Sequence, residues 1–239
     1  MQRYFAKDKD LTLSDKDIHH IINVMRMKVN DQIQIVYDSD VFLCKIDNIS
    51  NKKVDYSVLE KININNELST KVTIALPLVT EKKIDYMLQK CTELGCYEFI
   101  IYESERSKVK VNNKIDNKIE RWNLICKESA EQSFRNYSPK VVGIRNFDFL
   151  CENTYNLKLV GSTKKNKKTL KNVMQNSTNC DNIIIVIGPE GGLSEKEEKF
   201  LINNGYIGVT FGNTILRCET APVFVMSAIK YEFGRWFLC

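Results

Sequence analysis

The chain has 239 residues, 43% of them hydrophobic and 10% aromatic, and carries a formal net charge of +5. That length suits one large domain or a medium domain with a small one. No run approaches the ~20 apolar residues of a membrane span, and Met1-Gln2-Arg3-Tyr4-Phe5 lacks a signal-peptide core, so a cytoplasmic protein is expected. Eight scattered cysteines without a Cys-x-x-Cys pair, and two histidines, give no structural zinc spacing, so no metal is expected. The mild basicity permits nucleic-acid binding without requiring it.

Ser14 and Asp17 form a capping box that opens a short helix with Ile18, Ile21, Ile22 and Met25 on one face. Three strand-like segments follow, Gln32–Tyr37, Val41–Ile49 and Val54–Leu59, separated by polar turns. They read as a small β-rich, barrel-like unit, and the polar stretch Lys61–Thr70 as a linker. From Lys71 the pattern alternates. Val72–Leu78 is a strand, and a helix with Ile84, Met87, Leu88, Cys91 and Leu94 at helical spacing ends at Gly95. Tyr97–Tyr102 is a strand and the longest helix carries Trp122, Ile125, Cys126 and Ala130 on one side. Leu157–Val160 and Ile183–Ile187 are strands; Ser194 and Glu197 cap a helix ended by Asn204-Gly205; Ile207–Phe211 is the last strand before a helix from about Pro222. Such alternation implies a mostly parallel sheet covered on both faces. The domains expected are 1–69 and 70–239.

Two glycine loops end the last two strands: Gly188-Pro189-Glu190-Gly191-Gly192 after Ile183–Ile187, and Gly212 after Val209-Thr210-Phe211, followed by Ile215-Leu216-Arg217-Cys218-Glu219-Thr220. Glycine lets backbone groups approach a flat ligand closely, and strand ends are where α/β sheets bind ligands. Neither loop has dinucleotide or Walker spacing. One such turn alone is as well explained as a tight strand-to-helix connection. An Arg and a Glu two apart beside the second loop weigh towards a site. Cys218 is read as a small packing residue rather than a nucleophile, since no base neighbours it in sequence.

Met1-Gln2-Arg3-Tyr4-Phe5, the segment from His20 to Arg26, Gln89-Lys90-Cys91-Thr92-Glu93-Leu94-Gly95, Ser104-Glu105-Arg106-Ser107, Arg121-Trp122, Glu128-Ser129-Ala130-Glu131-Gln132-Ser133 with Arg135, Ile187 to Gly192 and Ile215 to Ala221 occur in the order found in one family. The chain resembles the small-subunit (16S) ribosomal RNA uracil-N3 methyltransferases, the RsmE family of the SPOUT superfamily, over essentially its whole length. The resemblance implies an α/β protein with an N-terminal PUA-like RNA-binding β-barrel and a C-terminal SPOUT domain with a trefoil knot. It further implies S-adenosylmethionine as methyl donor, a homodimer, and 16S ribosomal RNA or the small subunit as partner. In that picture Gly188, Pro189, Glu190, Gly191, Phe211, Gly212, Ile215 and Leu216 surround the donor. The chain departs from the family pattern at Asn30, Thr80-Glu81, Gly161-Ser162-Thr163, Phe134 and Cys218. Arg217 is the expected catalytic group, stabilising charge on the uracil as its N3 proton leaves. Glu219 either orients it or accepts a proton; a purely structural Arg217–Glu219 pair is the competing view. Arg3, Arg26, Arg106 and Arg135 are the expected RNA contacts. The rivals are a SPOUT enzyme acting on another RNA or atom, and a noncatalytic assembly factor.

Overall fold

A computed structural model describes residues 1–50, 52–109, 115–152, 154–164, 168–177 and 180–234. The chain divides into two compact units, Met1–Glu67 with Lys127–Ser138, and Leu68–Cys126 with Pro139–Cys239.

The first unit holds a four-stranded sheet of β1 (Gln2–Phe5), β2 (Gln32–Tyr37), β3 (Asp40–Ser50) and β4 (Lys53–Ile62), in that spatial order. β1 runs parallel to β2 and the other pairs are antiparallel. Register shifts between Leu43 and Cys44 and between Ile46 and Asn48 mark bulges that bend the long β3–β4 ribbon. α1 (Asp15–His19) opens with the expected reciprocal box: Ser14 Oγ accepts from the Asp17 amide, and the Asp17 carboxylate accepts from the Ser14 amide. The helix then widens into a π-type turn, His20–Val24. The wider turn breaks the 3.6-residue period, so Ile21 is fully buried while Met25, expected on the same face, is exposed. Tyr4, Leu13, Ile21, Ile33, Ile35, Cys44 and Ile46 form this unit's core.

The second unit is a seven-stranded, wholly parallel sheet. Its strands are β5 (Lys71–Pro77), β6 (Glu98–Tyr102), β7 (Lys140–Arg145), β8 (Leu157–Gly161), β9 (Lys168–Thr169), β10 (Asn182–Val186) and β11 (Ile207–Thr210). The spatial order is β7-β6-β5-β10-β8-β11-β9. α2 (Glu81–Glu93), α3 (Ile115–Gln132), α4 (Leu170–Gln175), α5 (Glu195–Asn203) and α6 (Thr220–Phe233) are its connections; α3 ends in residues that belong to the first unit. Because successive strand residues face opposite ways, Ile183 and Ile185 pack with Met87, Trp122, Val225 and Ile229 in one cluster. Ile184 and Val186 pack with Leu150, Leu201 and Tyr206 in the other. Burial on both faces explains why β10 reads as an unbroken apolar run. Gly95 at φ 101° and Gly205 at φ 87° end α2 and α5, the left-handed exits that glycine supplies without steric cost.

Candidate functional site

The chain builds β5, β6 and β7 outward in one direction, then returns so that β10 lies beside β5 with β8 and β11 beyond it. Strand order reverses between β5 and β10, and the crevice outside the carboxyl ends at such a point is where open α/β sheets hold ligands. Both glycine loops emerge at this edge, one strand apart.

The first loop is set by close packing. A Cβ on Gly188 would lie 3.1 Å from the Leu193 amide nitrogen, a tight contact that a side chain could make only if the loop backbone gave way by a few tenths of an ångström. The buried Tyr102 hydroxyl donates to the Ile187 carbonyl at 2.6 Å and fixes where the loop begins. Arg106 donates to the carbonyls of Gly191 at 2.9 Å and Leu193 at 3.3 Å. The Ser194–Glu197 box is present, and the Glu197 carboxylate, 6% exposed, also accepts from Ser104 Oγ and the Glu105 amide. The segment carrying Arg106 is thereby tied to the start of α5.

The second loop leaves β11 with Phe211 lying over Gly161, at the end of β8. A Cβ there would come within 2.9 Å of the ring, so glycine is what admits it. Gly212 follows at φ 124° with no atom within 4 Å of its ideal Cβ. Ile215 is 83% exposed and Leu216 packs on the core. The Arg217 carbonyl accepts from the Thr220 and Ala221 amides in the first turn of α6.

Arg217 does not pair with Glu219. Its side chain is exposed and has no hydrogen-bond or ion-pair partner among the described residues. The Glu219 carboxylate instead meets Lys83 at 3.2 Å and accepts from the Cys218 thiol at 3.2 Å. Lys83 also reaches Glu190 in the first loop at 2.6 Å. Burial alone would raise the Glu219 carboxyl, but its own amide, the Cys218 thiol and Lys83 together hold it below the usual range. The Glu190 hydrogen bond outweighs burial and, with Glu219, keeps Lys83 firmly protonated. Burial, then donation to Glu219, pushes the Cys218 thiol up to about 12, so it is neutral and unreactive at physiological pH.

Lys83 is the site residue that sequence reasoning missed. The signal was its place: a cation in the first turn of α2 opposes the helix dipole unless a carboxylate compensates.

The expected RNA-contacting arginines separate. Arg26 is exposed in the first unit at φ 52°, and Arg106 is exposed while bracing the first loop. Arg3, 2% exposed, donates through Nε and Nη2 to Gln34 at 2.9 and 2.7 Å, and Arg135, 3% exposed, forks onto Glu67. Their guanidinium groups are used up inside the first unit, so they serve its packing and not a phosphate. The nearby Glu131 likewise accepts from the Phe5 amide and meets Lys127 within that unit.

No group of three or more His, Cys, Asp or Glu is placed to hold a metal among the described residues, and no helix of theirs is long and apolar enough to cross a membrane.

Comparison with known proteins agrees with this layout. Residues 66–230 match an RNA methyltransferase domain and residues 13–59 an RNA methyltransferase PUA domain. The chain is 36% identical to the ribosomal RNA small subunit methyltransferase E of Bacillus subtilis, covering 97% of each. It is 34% identical to the protein of that name from Mesomycoplasma hyopneumoniae, covering 95% of this chain and 98% of the other. The Neisseria gonorrhoeae ribosomal RNA small subunit methyltransferase E, solved with S-adenosylmethionine bound, superposes with a TM-score of 0.87 at 26% identity over 97% of both chains. This chain, with its PUA domain and its parallel-sheet methyltransferase domain, belongs to the ribosomal RNA small subunit methyltransferase E family.

Proposed function

We propose that the protein uses S-adenosylmethionine to methylate ribosomal RNA of the small subunit, and that the accepting atom is N3 of a uridine in 16S RNA. The observation that carries the reading is the pair of glycine loops at the switch point, with Arg217 beside them exposed and unpartnered among the described residues. Gly192 and Gly212, both at positive φ, face open space where a side chain would stand, and Ile215 leaves an apolar surface beside them. Exposed backbone polar groups next to an apolar wall fit an adenosine moiety. Gly188, Pro189, Glu190, Gly191, Phe211, Gly212, Ile215 and Leu216 are the residues assigned to hold it.

When bound, the donor supplies a methyl group already activated on a sulfonium. The chain's own task is alignment and charge stabilisation. Losing the N3 proton spreads negative charge onto the flanking uracil oxygens, and the exposed Arg217, which has no partner among the described residues, would meet it. Glu219, ionised and clasped by Lys83, is a weak proton acceptor, so its contribution is chiefly electrostatic. Arg26 and Arg106 are assigned to RNA phosphates.

The expected homodimer has support in α6, which exposes Phe224 and Tyr231 seven residues apart, hence on one face. The expected knot has support in the insertion of β10 between β5 and β8. A cytoplasmic location follows from the proposed substrate.

The test is methyl transfer from labelled donor to small ribosomal subunits of a strain lacking the gene, followed by mass analysis of the nucleosides. N3-methyluridine is expected. A different methylated nucleoside, or donor binding without transfer, overturns the assignment in favour of another acceptor or an assembly role.

A further inference from the structure

We propose that Lys83 is a positioning residue for methyl transfer, fastening the first glycine loop to the start of the last helix and so setting the two donor-binding loops against one another; this rests on the methyl-transfer reading above. Lys83 stands in the first turn of α2, beyond the end of β5, next to the strand that feeds the first loop. Its ammonium contacts Glu190 at 2.6 Å and Glu219 at 3.2 Å, with Cys218 Sγ at 3.9 Å. One carboxylate belongs to the loop after β10 and the other to the turn that opens α6. No backbone hydrogen bond ties these two segments directly among the described residues. The lysine is therefore the clasp across a gap that the sheet leaves open.

The arrangement has a second consequence. With Glu219 held by Lys83, the carboxylate two residues from Arg217 is kept off the guanidinium. Removing Lys83 would release Glu219 to capture Arg217, withdrawing the charge proposed to meet the uracil. Lys83 thus acts on both sides of the reaction, through loop registry for the donor and through Arg217 for the acceptor, while touching neither.

The carboxylates are partly exposed, at 37% for Glu190 and 19% for Glu219, and the Lys83 side chain at 28%. Such a network contributes little to global stability and more to local geometry. The experiment uses the full-length protein: Lys83→Met, Lys83→Arg and Glu190→Gln, each measured for thermal unfolding, donor affinity by calorimetry, and transfer at saturating donor. Lys83→Met is expected to unfold within a few degrees of the parent and to bind donor about tenfold more weakly, the scale of one charge-assisted hydrogen bond. It should also transfer more slowly at saturating donor. Lys83→Arg, keeping charge and reach, should restore most of both. Glu190→Gln, which removes the loop's end of the clasp, should also weaken donor affinity. Donor affinity and saturated rate within twofold of the parent in Lys83→Met overturn the proposal, as does failure of Lys83→Arg to rescue. Should Lys83→Met not fold, an unchanged Glu190→Gln affinity overturns it instead. The parent protein in the same assays separates the two layers: if it neither binds donor nor transfers methyl, the functional reading fails and not the clasp.

Discussion

Arg135 and Arg217 are both arginines beside a helix end, and the structure uses them in opposite ways. Arg135, just past the last turn of α3, is 3% exposed and forks onto Glu67, whose carboxylate also accepts from the Asn136 and Tyr137 amides. Arg217, just before α6, is exposed and unpartnered among the described residues, and the nearest acidic neighbour in sequence is held by a lysine. Interior arginine positions the chain; exposed arginine beside a glycine loop is left free for a substrate. Isolated buried charge is costly, so pairing is compulsory in the first case. In the second, solvent bears that cost until a ligand arrives.

The contrast breaks most visibly in paired variants. Arg135→Ala leaves the Glu67 carboxylate without its counterion and should lower stability by about 3 kcal/mol, the lower end for a broken buried pair because Glu67 keeps some solvent contact; chemical denaturation measures it. Arg217→Ala should change stability by less than about 0.5 kcal/mol. Its effect should appear in methyl transfer, down about 100-fold with donor binding intact, the cost of removing one charge-stabilising donor. Equal stability losses in the two variants would erase the distinction.

Gly161→Ala sharpens it from the loop side. The added methyl would sit 2.9 Å from the Phe211 ring, so the ring must shift. Overpacking of this kind costs about 1 kcal/mol or more, and donor affinity read by calorimetry should fall several-fold with little change in the saturated rate.

Arg26→Ala should reduce the slope of log affinity for ribosomal RNA against log salt by about one, as for one lost phosphate contact. Arg3→Ala should act through unfolding, not through that slope. The smallest effect is a pH dependence. Glu219 has a folded value below its ordinary 4.5, so its stabilising contribution is complete above that pH and fades as pH falls through the lower folded value. Glu219→Gln should flatten the acid side of the stability curve in that window and leave the neutral range unchanged.

Five strands of the parallel sheet, β5, β6, β8, β10 and β11, were legible as apolar runs, and α5 from its Ser194–Glu197 box. β7 and the two-residue, exposed β9 were not read, and α2 and α6 open without a side-chain cap. β2, β3 and β4 were legible from their turns. β1 was not, since four residues carry too little alternation to mark a strand and its parallel partner β2 lies some thirty residues on. The first-turn helix face failed at Met25 because a π-type widening leaves no trace in residue spacing. Within the site, glycine loops and Arg217 were visible as local pattern. The Lys83 contacts were not, because Lys83 lies 107 and 136 positions from Glu190 and Glu219 and is joined to them only by strand order. Arg3 and Arg135 misled for the same reason: basicity is written in the chain, but the Gln34 and Glu67 that occupy them become neighbours only after folding.

The division of α3 between the two units has a practical consequence for anyone wishing to dissect the molecule. Asn136 accepts from the Asn66 amide and donates to the carbonyls of Ser39 and Ile64, and Lys127 meets Asp17. An N-terminal fragment cut near residue 70 would leave behind the struts that satisfy the Asn66 amide, the Ser39 and Ile64 carbonyls and the buried Asp17 carboxylate. Fusing that fragment to a different catalytic domain would therefore require grafting residues 127–138 along with it, and evolution faces the same obstacle to trading one module without the other.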